Sequence, residues 1–425
     1  MALSVSKSAD RGAAKTARFV ERLIRGISPR NFRIELWDGT SFAPDANQFH
    51  RYTWKINNPD ALRTVFSSPN RQLALGEAYL RGDFDIEGDI EAAFPLSDHL
   101  IRKEWSLSEK LFFAGFLAES ILLTGDPRTR LRQLLGEPHS KRRDRHVISY
   151  HYDVSNDFYK LWLDQNMVYS CAHFQDFSDD LETAQVQRME LICSKLGLRP
   201  GERLLDIGCG WGGLIMHAAR NYGVEAVGIT ISEAQASLAE SRIRRAGLST
   251  KCRVDRLDYR DIGKAGVFDK VASIGMVEHV GAVNLRTYFQ KAFQALRAGG
   301  LFLLSGIGKI GSQTVNSQPT FTDVYVFPDG ELPPIATTLS SAEESGFEVR
   351  DVENFREHYD FTTRHWLRRL EANAQRAREL VGEERYRIWR LYLAGSAYYF
   401  QKGWLGLYQT LLFKGSEGER FSFGT

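Results

Sequence analysis

The chain has 425 residues, 43% hydrophobic and 12% aromatic, which is long and apolar enough for two domains with sizeable cores. Its 55 Lys and Arg residues nearly balance its 53 Asp and Glu residues, and a formal net charge of +2 gives no overall field for nucleic acid. The four cysteines show neither metal-ligand nor disulfide spacing, which predicts a reducing compartment and no metal site. The sequence also shows no signal-peptide core and no membrane span of roughly 18 apolar residues, so we expect a cytoplasmic protein.

The N-terminal part of the chain carries the signals of a small mixed α/β domain over residues 13–103, after a disordered lead-in over residues 1–12. Alternating and helical spacings of apolar residues distinguish its strands from its helices. The predicted strands are Phe32–Trp37 and Tyr52–Ile56, and the predicted helices are Ala13–Ile27, Pro59–Phe66 and Gln72–Gly82.

A helical linker with a basic face is predicted over residues 104–146. Its apolar run, Leu111–Leu123, is shorter than a membrane span, which favours a core helix over one that dips into a membrane. Basic residues dominate Arg128–Arg145, and no nucleic-acid motif accompanies them. Such a cluster is either solvated or held against an anionic membrane surface, where each basic residue contributes about 1 kcal/mol. The sequence favours these two alternatives equally.

Residues 147–425 are predicted to form a larger α/β domain that carries the catalytic site. Strand and helix signals alternate through it, which is typical of a parallel sheet with crossover helices. The five predicted strands are Arg203–Ile207, Ala226–Thr230, Lys251–Asp255, Phe268–Ile274 and Leu301–Ile307. A long polar loop, Val315–Pro334, is of the kind that caps a site, and Glu353–Lys414 is predicted to be mainly helical.

A glycine-rich turn follows the first strand of this sheet, within the sequence LLDIGCGWGGL at Leu204–Leu214. Glycines lack the Cβ atoms that would keep a ligand away, so the turn can hold a nucleotide-like cofactor on its backbone. The spacing GCGWGG fits a dinucleotide poorly, and the anionic Asp206 suits a cationic ligand, S-adenosylmethionine (SAM). The next strand ends in the hydroxyls of Ala226–Ser232, where ribose-binding groups are expected. Pro200–Gly308 therefore resembles the Rossmann-like core of class I SAM-dependent methyltransferases.

A carboxylate, Glu278, lies just beyond the carboxyl end of the fourth predicted strand, where an open α/β sheet has its ligand crevice. It is either a helix N-terminal charge or an active-site group. We favour the active site because His279 and Gly281 follow and no long helix begins at once. Before the glycine turn, the aromatic-rich segment Tyr150–Phe174 predicts an amphipathic helix on the sheet edge, but this does not explain the polar turn at Tyr169–Cys171.

Five motifs in order, YHYDVSNDFY, MVYSCAHF, LLDIGCGWGG, GITISEAQ and SIGMVEHVG, resemble the cyclopropane-fatty-acyl-phospholipid synthase family, which includes the mycolic acid cyclopropane synthases. The resemblance spans Tyr150–Lys414, and the N-terminal domain matches the family's lipid-handling extension more loosely. It implies that the double bond of a cis-unsaturated phospholipid acyl chain attacks the SAM methyl group, and that bound bicarbonate removes a proton so that a ring closes. We therefore expect a peripheral membrane enzyme, with an anionic membrane surface, which the basic cluster could contact, as a partner. A homodimer is compatible with the sequence, but no feature identifies an interface.

Site residues follow from the resemblance, position by position. The bicarbonate site would comprise the Cys171 amide, Glu278, the Ile307 amide and the Tyr359 hydroxyl. The SAM site would comprise Tyr169, Ser170, Asp206, Gly208, Cys209, Gly210, Thr230, Ile231, Ser232, Gln235, Asp258 and Tyr259. By physical role, Thr230, Ser232 and Gln235 would supply hydrogen bonds to the ribose and carboxylate. Tyr259 would stack near the adenine.

Two residues depart from the family pattern. Where ring-forming members have a histidine two residues before the isoleucine, this chain has Ser305, which carries no charge, so we expect weaker bicarbonate binding. The C-terminal family cysteine is replaced by Ser396, which matters little because methyl transfer to an alkene needs no covalent enzyme intermediate. A cyclopropane is the expected product. A methyl- or methylene-branched chain, methylation of a small molecule, and a catalytically weak lipid-binding protein are the alternatives.

Overall fold

The computed structural model describes residues 11–102, 106–117, 137–152, 154–263, 265–310 and 318–415. Residues 1–10 of the predicted lead-in, the end of the apolar run and the first basic residues of the linker lie outside this part of the chain. The last two residues of the lead-in, 11 and 12, already belong to a helix, so the prediction of disorder is wrong for them. Two compact units share the chain, Met1–Leu131 with Asn316–Val326 and Glu383–Gly395, and Arg132–Val315 with Phe327–Gly382 and Ser396–Thr425. The units interleave along the sequence, whereas the predicted domains are contiguous, and the predicted boundaries stay predictions.

The first unit contains a four-stranded mixed sheet in the order β2-β1-β3-β4. Its strands are β1 (Phe32–Leu36), β2 (Ser41–Phe42), β3 (Tyr52–Ile56) and β4 (Phe84–Gly88). β1 and β3 are parallel, and the other two pairs are antiparallel. Phe32, Ile34 and Leu36 are buried because alternate residues of a strand face the same side. The structure agrees with both predicted strands and adds β2 and β4.

Helices complete the first unit. They are Arg11–Leu23, Ala61–Ser67, Arg71–Arg81, Phe94–Arg102, Leu107–Leu117 and Phe321–Tyr325, with a short 3-10 turn at Glu91–Ala93. The third helix ends at Gly82, whose left-handed conformation (φ 75°) is typical of a helix terminus. A late segment of the chain is anchored in this unit, because the Arg390 guanidinium donates hydrogen bonds to the carbonyl oxygens of Ile86 and Gly88.

The second unit is built on a seven-stranded sheet in the order β10-β11-β9-β8-β5-β6-β7. The strands are β5 (Arg203–Ile207), β6 (Glu225–Thr230), β7 (Cys252–Arg256), β8 (Phe268–Ile274), β9 (Leu296–Lys309), β10 (Glu348–Asn354) and β11 (Leu405–Phe413). β5 to β9 are parallel, as predicted, and β11 and β10 extend the sheet beyond β9 in antiparallel orientation. The prediction of a mainly helical Glu353–Lys414 is therefore wrong at its C-terminal end, where β11 lies. Its sequence, LGLYQTLLF, is mostly apolar without strict alternation, which does not distinguish a strand from a buried helix.

Helices flank this sheet. They are Lys141–Tyr152, Asn156–Tyr159, Leu181–Leu196, Gly213–Asn221, Glu233–Arg245, Leu285–Ala295, Ile335–Glu344 and Arg356–Ala372. Three 3-10 turns are Tyr259–Asp261, Val277–His279 and Ala282–Asn284. The long helix Ala374–Gln401 breaks at Gly382 and contributes residues to both units. Among the helices that the structure describes, none is both long and apolar enough to cross a bilayer.

The end of the predicted basic linker is a regular helix, Lys141–Tyr152. Arg143 on this helix donates hydrogen bonds from Nε and Nη2 to the two carboxylate oxygens of Asp329, at 2.5 and 2.7 Å. Both side chains are largely buried, with 12% and 13% of their surface exposed. Arg143 is therefore neither solvated nor available to a membrane. Lys141, Arg142 and Arg145 on the same helix are exposed, so for the rest of the basic cluster the two alternatives stay predictions.

The order of the strands reverses between β5 and β8, since the chain runs from β5 outward through β6 to β7 and then returns to β8 and β9. Open α/β sheets bind ligands outside the carboxyl ends of the strands at such a reversal. Here those ends are Ile207 and Ile274. The fold therefore places its ligand crevice at the glycine turn and just before Glu278.

Candidate active site

The turn after β5 depends on its glycines. Gly208 and Gly210 have φ angles of 87° and 53°, in the left-handed region that other residues rarely adopt. A Cβ atom on Gly208 would lie 2.9 Å from the Cβ of Met276, which is too close. The amides of Gly208 and Cys209 both donate to the carbonyl oxygen of Ile229 at 3.0 Å and fix the turn against β6. Space remains open beside Gly210, where a ligand can approach the backbone.

A cavity opens at the carboxyl ends of β5, β6 and β8 and holds about 1130 Å³ of space, including its open mouth. It is lined by Tyr169, Ser170, Asp206, Gly208, Cys209, Gly210, Thr230, Ile231, Gln235, Asp258 and Tyr259, all of which were predicted to bind SAM. Ser232, the remaining predicted residue, caps the Glu233–Arg245 helix, and its Oγ accepts a hydrogen bond from the Gln235 amide at 3.1 Å.

Asp206 provides a negative charge at the cavity. It is the fourth residue of β5, it is buried, and its Oδ1 has no hydrogen-bond partner in the described part of the chain. Burial raises the pKa of Asp206 to about 7 because a carboxylate without partners is poorly stabilised there. A cationic ligand would remove that penalty. SAM carries both a sulfonium and an ammonium group, so this carboxylate fits it.

Polar groups on β6 and after β7 complete the cavity. Thr230 Oγ1 donates a hydrogen bond to Gln235 Oε1 at 2.8 Å, which orients the glutamine amide. Burial would raise the pKa of Asp258, but hydrogen bonds from Arg260 lower it, so Asp258 is held as a carboxylate. The neighbouring Tyr259 presents a buried ring, which can stack on a planar base.

Glu278 lies in the 3-10 turn that follows β8. Its Oε1 accepts a hydrogen bond from the Ile307 amide at 2.7 Å, so the amide predicted to bind bicarbonate holds Glu278 instead. Its Oε2 is buried and has no hydrogen-bond partner among the described residues. Burial raises the pKa of Glu278 to about 7, against a smaller lowering effect of the Ile307 amide. Near neutral pH this carboxyl can therefore accept or release a proton.

The other predicted catalytic residues gather near one another. Cys171 packs against Phe355 and Leu407, and Ile307 and Tyr359 pack against the same cluster. Burial raises the pKa of the Cys171 thiol to about 12, so the thiol is neutral and only its backbone amide suits the predicted role. None of the five predicted catalytic residues lines the cavity, but Cys171 follows Ser170, which does, and Glu278 lies between lining residues of the β8 end. No group of His, Cys, Asp and Glu within the described ranges is placed to hold a metal ion.

Arg188 joins the cavity to this group, and sequence reasoning missed it. It lines the cavity from the Leu181–Leu196 helix, and its Nη2 donates a hydrogen bond to Ser305 Oγ at 2.9 Å. Its guanidinium also lies 4.6 Å from the centre of the Phe355 ring. The helix buries a face at helical spacing that includes Leu181, Ala184, Gln185, Arg188, Met189 and Ile192. An arginine at an apolar position of that pattern was the signal that could have identified it.

Aromatic rings surround the polar turn at Tyr169. The Tyr169 ring centre lies 5.4 Å from that of Trp162, 5.2 Å from that of Trp366 and 5.8 Å from that of His151. Trp162 and Trp366 are almost completely buried. The polar turn that the sequence left unexplained is thus held in an aromatic, water-poor environment.

Sequence comparison places the chain among known proteins. The profile of the family described as mycolic acid cyclopropane synthetase matches residues 139–410, and that of a domain of unknown function matches residues 19–99. A probable fatty acid methyltransferase of Pseudomonas putida is 42% identical over 90% of this chain and 91% of its own length. A cyclopropane-fatty-acyl-phospholipid synthase of Escherichia coli is 34% identical over 85% of this chain and 88% of its own length.

Comparison with solved structures identifies the same family. The crystal structure of the mycolic acid cyclopropane synthase CmaA1 complexed with SAH and CTAB is 32% identical, with a TM-score of 0.60. The match covers 63% of this chain and 97% of that one. The predicted α/β core of a class I methyltransferase is thereby confirmed. With a family match over most of its second unit and a cavity suited to SAM, the chain belongs to the mycolic acid cyclopropane synthetase family and is a SAM-dependent methyltransferase.

Proposed function

We propose that this protein methylates the double bond of an unsaturated acyl chain of a membrane phospholipid and that the methylated chain closes to a cyclopropane. The observation that carries the proposal is the buried carboxyl of Glu278, which the Ile307 amide holds beside the cavity. An alkene has no acidic proton to lose before it reacts, so its methylation needs a proton acceptor afterwards. A carboxyl with a pKa of about 7 and one oxygen without a partner suits that role.

The cavity residues would hold the cofactor. Asp206 would pair with its positive charge, Thr230 and Gln235 would bind polar groups, and Tyr259 would stack on the adenine. Bound there, SAM supplies an electrophilic methyl group. The glycine turn would let the cofactor lie against the backbone at Gly210.

Ring closure requires one proton to leave. An acyl double bond that takes up a methyl group with its π electrons becomes a carbocation. Loss of a proton from the new methyl group then frees the C–H electron pair, which forms the third side of the ring. Glu278 would receive this proton at Oε2, either directly or through a bound bicarbonate, while the Ile307 amide keeps Oε1 in place.

The aromatic residues would protect the cation. Water attacks a carbocation rapidly, so the chamber must exclude it. The buried Trp162 and Trp366 form an aromatic wall with the partly buried Tyr169 next to Ser170, and ring faces also attract positive charge. The thiol of Cys171 is buried and neutral, which keeps a competing nucleophile inactive.

We also propose that the acyl chain is taken from an anionic membrane surface, with the protein bound peripherally. In the first unit, Leu107 and Leu111 lie one helical turn apart and expose 76% and 70% of their surface. Lys110 is exposed between them. An apolar pair with a basic neighbour is suited to the boundary of anionic lipid. Flotation with vesicles of anionic phospholipid tests this, and the double variant Leu107→Ser, Leu111→Ser should bind them less.

Mass spectrometry of lipids tests the proposed reaction. Vesicles of unsaturated phospholipid are incubated with the protein and methyl-labelled SAM, and the released acyl chains are analysed before and after hydrogenation. A chain that gains one methylene and resists mild hydrogenation contains a ring. Recovery of no labelled lipid, with SAM still bound, would refute the reaction and leave a lipid-binding protein.

A methyl- or methylene-branched chain is the second candidate product. Ser305 stands where the resemblance places a histidine, and the similar Pseudomonas putida protein is described as a probable fatty acid methyltransferase. In that case the cation loses its proton from a neighbouring chain carbon, and the product keeps a double bond that hydrogenation removes. Ser305→His should then raise the fraction of ring product and its dependence on bicarbonate. An unchanged response would place the proton acceptor elsewhere.

A further inference from the structure

Arg188 brings a positive charge into the wall of the cavity. Only 1% of its surface is exposed. Its Nη2 donates to Ser305 Oγ, whereas Nε and Nη1 are buried and have no hydrogen-bond partner in the described part of the chain. Burial lowers the pKa of Arg188, yet a guanidinium keeps its proton in proteins. A buried charge with two unused donor atoms is strongly unfavourable unless an anion pairs with it.

Among the described residues, the Glu353 carboxylate and the Phe355 ring stabilise the charge of Arg188 from nearby, but no anionic side chain accepts a hydrogen bond from its Nε or Nη1. Its titratable neighbours are Cys171, His173, Glu353, His358 and Tyr359. Burial raises the pKa of Cys171 to about 12 and lowers that of His358 to about 4, so both are neutral near pH 7. The Glu353 carboxylate already accepts hydrogen bonds from Lys195 and Gln409. The guanidinium is therefore positioned to pair with an external ligand.

The strand that holds Ser305 indicates where such a ligand would lie. Ser305 and Ile307 are two residues apart on β9, so their side chains share a face of the sheet. Ser305 accepts from Arg188, and the Ile307 amide donates to Glu278. Two residues of one strand end thus contact the buried cation and the group that we assign as proton acceptor.

We propose that Arg188 binds a small planar oxyanion, bicarbonate, and supplies the positive charge that Ser305 lacks. This inference rests on the proposed function for the use of that anion as a proton carrier. Ser305 holds the guanidinium by Nη2, and Nε and Nη1 remain as two separate donors that point in different directions and can each donate a charge-assisted hydrogen bond to an oxyanion. The cofactor's own carboxylate has the same chemistry, and the experiment separates the two sources.

Binding measurements on three variants test the inference. Arg188→Met removes the charge at similar length, Arg188→Lys keeps it without the planar fork, and Arg253→Met removes an exposed arginine of β7 as the matched control. The thermal midpoint is followed against sodium bicarbonate, with sodium chloride at equal ionic strength as reference. SAH affinity is measured separately by calorimetry. Should Arg188→Met fail to fold, Arg188→Gln tests the same loss of charge.

We expect a saturable bicarbonate shift in the wild type and in Arg253→Met. In Arg188→Met the bicarbonate Kd should rise at least about tenfold, with an intermediate rise in Arg188→Lys and SAH affinity changed less than about threefold. Equal bicarbonate affinity in wild type and Arg188→Met would overturn the inference. So would a loss of SAH affinity alone, because the guanidinium would then bind the cofactor. Failure of the wild type to bind SAH would refute the proposed function, while the bicarbonate result still decides the role of Arg188.

Discussion

Replacing Asp206 by Asn should stabilise the protein without cofactor and weaken cofactor binding. The carboxyl is buried without a hydrogen-bond partner on Oδ1 in the described chain, and burial raises its pKa from 3.8 to about 7. One pKa unit corresponds to about 1.4 kcal/mol, so the ionised group costs about 4 kcal/mol at pH 8. At pH 5 the cost is about 2 kcal/mol, and below pH about 3.8 it vanishes because the carboxyl is neutral in both the folded and the unfolded chain.

Urea unfolding followed by tryptophan fluorescence measures this effect. We expect Asp206→Asn to gain up to about 4 kcal/mol over the wild type at pH 8, and a smaller amount at pH 5. Asp255→Asn, at a more exposed position on β7, serves as the matched control and should gain nothing. SAH should stabilise the wild type but bind at least about tenfold more weakly to Asp206→Asn. A gain that is independent of pH, or unchanged SAH affinity, would refute the assignment of Asp206 as the cation partner.

Three further substitutions probe the site. Glu278→Gln should lower kcat at least about 100-fold while SAH affinity is retained. Wild-type activity should rise with pH through about 7, because Glu278 must be ionised to accept a proton. A flat pH profile would contradict the role of Glu278 as a base. Ser232→Ala should cost about 1 kcal/mol of stability through loss of the helix cap, while SAH titration shows unchanged affinity. Gly208→Ala should destabilise the fold by about 1–3 kcal/mol in urea, because of its φ of 87° and the contact with Met276. Gly266→Ala is the control with positive φ and open space.

The central sheet could be predicted from sequence because its strands carry local signals. The bounds of β5 and β8 are those predicted, since each is an apolar run flanked by turn residues. The strand β11 was missed because its mostly apolar sequence follows a long helix, and its strand character depends on pairing with β9, about a hundred residues earlier in the chain. Local patterns hold no information on such distant pairing.

In the candidate site, too, the residues with local sequence signals were predicted and those that depend on distant contacts were not. The glycine turn and Glu278 were identified because each follows a predicted strand end. Arg188 was not identified, because its contact with Ser305 spans 117 residues and the helix that carries it has an otherwise ordinary pattern. The absence of a histidine at position 305 was visible in the sequence. The cation that lies beside Ser305 became visible only when the helix and β9 were brought together.

The interleaved chain also constrains how the protein can be made and divided. The first unit includes Glu383–Gly395, and Arg390 from that segment bonds the carbonyl groups at the end of β4. On the ribosome, this unit therefore stays incomplete until the whole methyltransferase sheet except β11 has been synthesised. No single cut in the gene yields both units intact, so residues 19–99 expressed alone would lack the hydrogen bonds that Arg390 donates to Ile86 and Gly88. Evolution could exchange this region between relatives only together with the late helix that completes it.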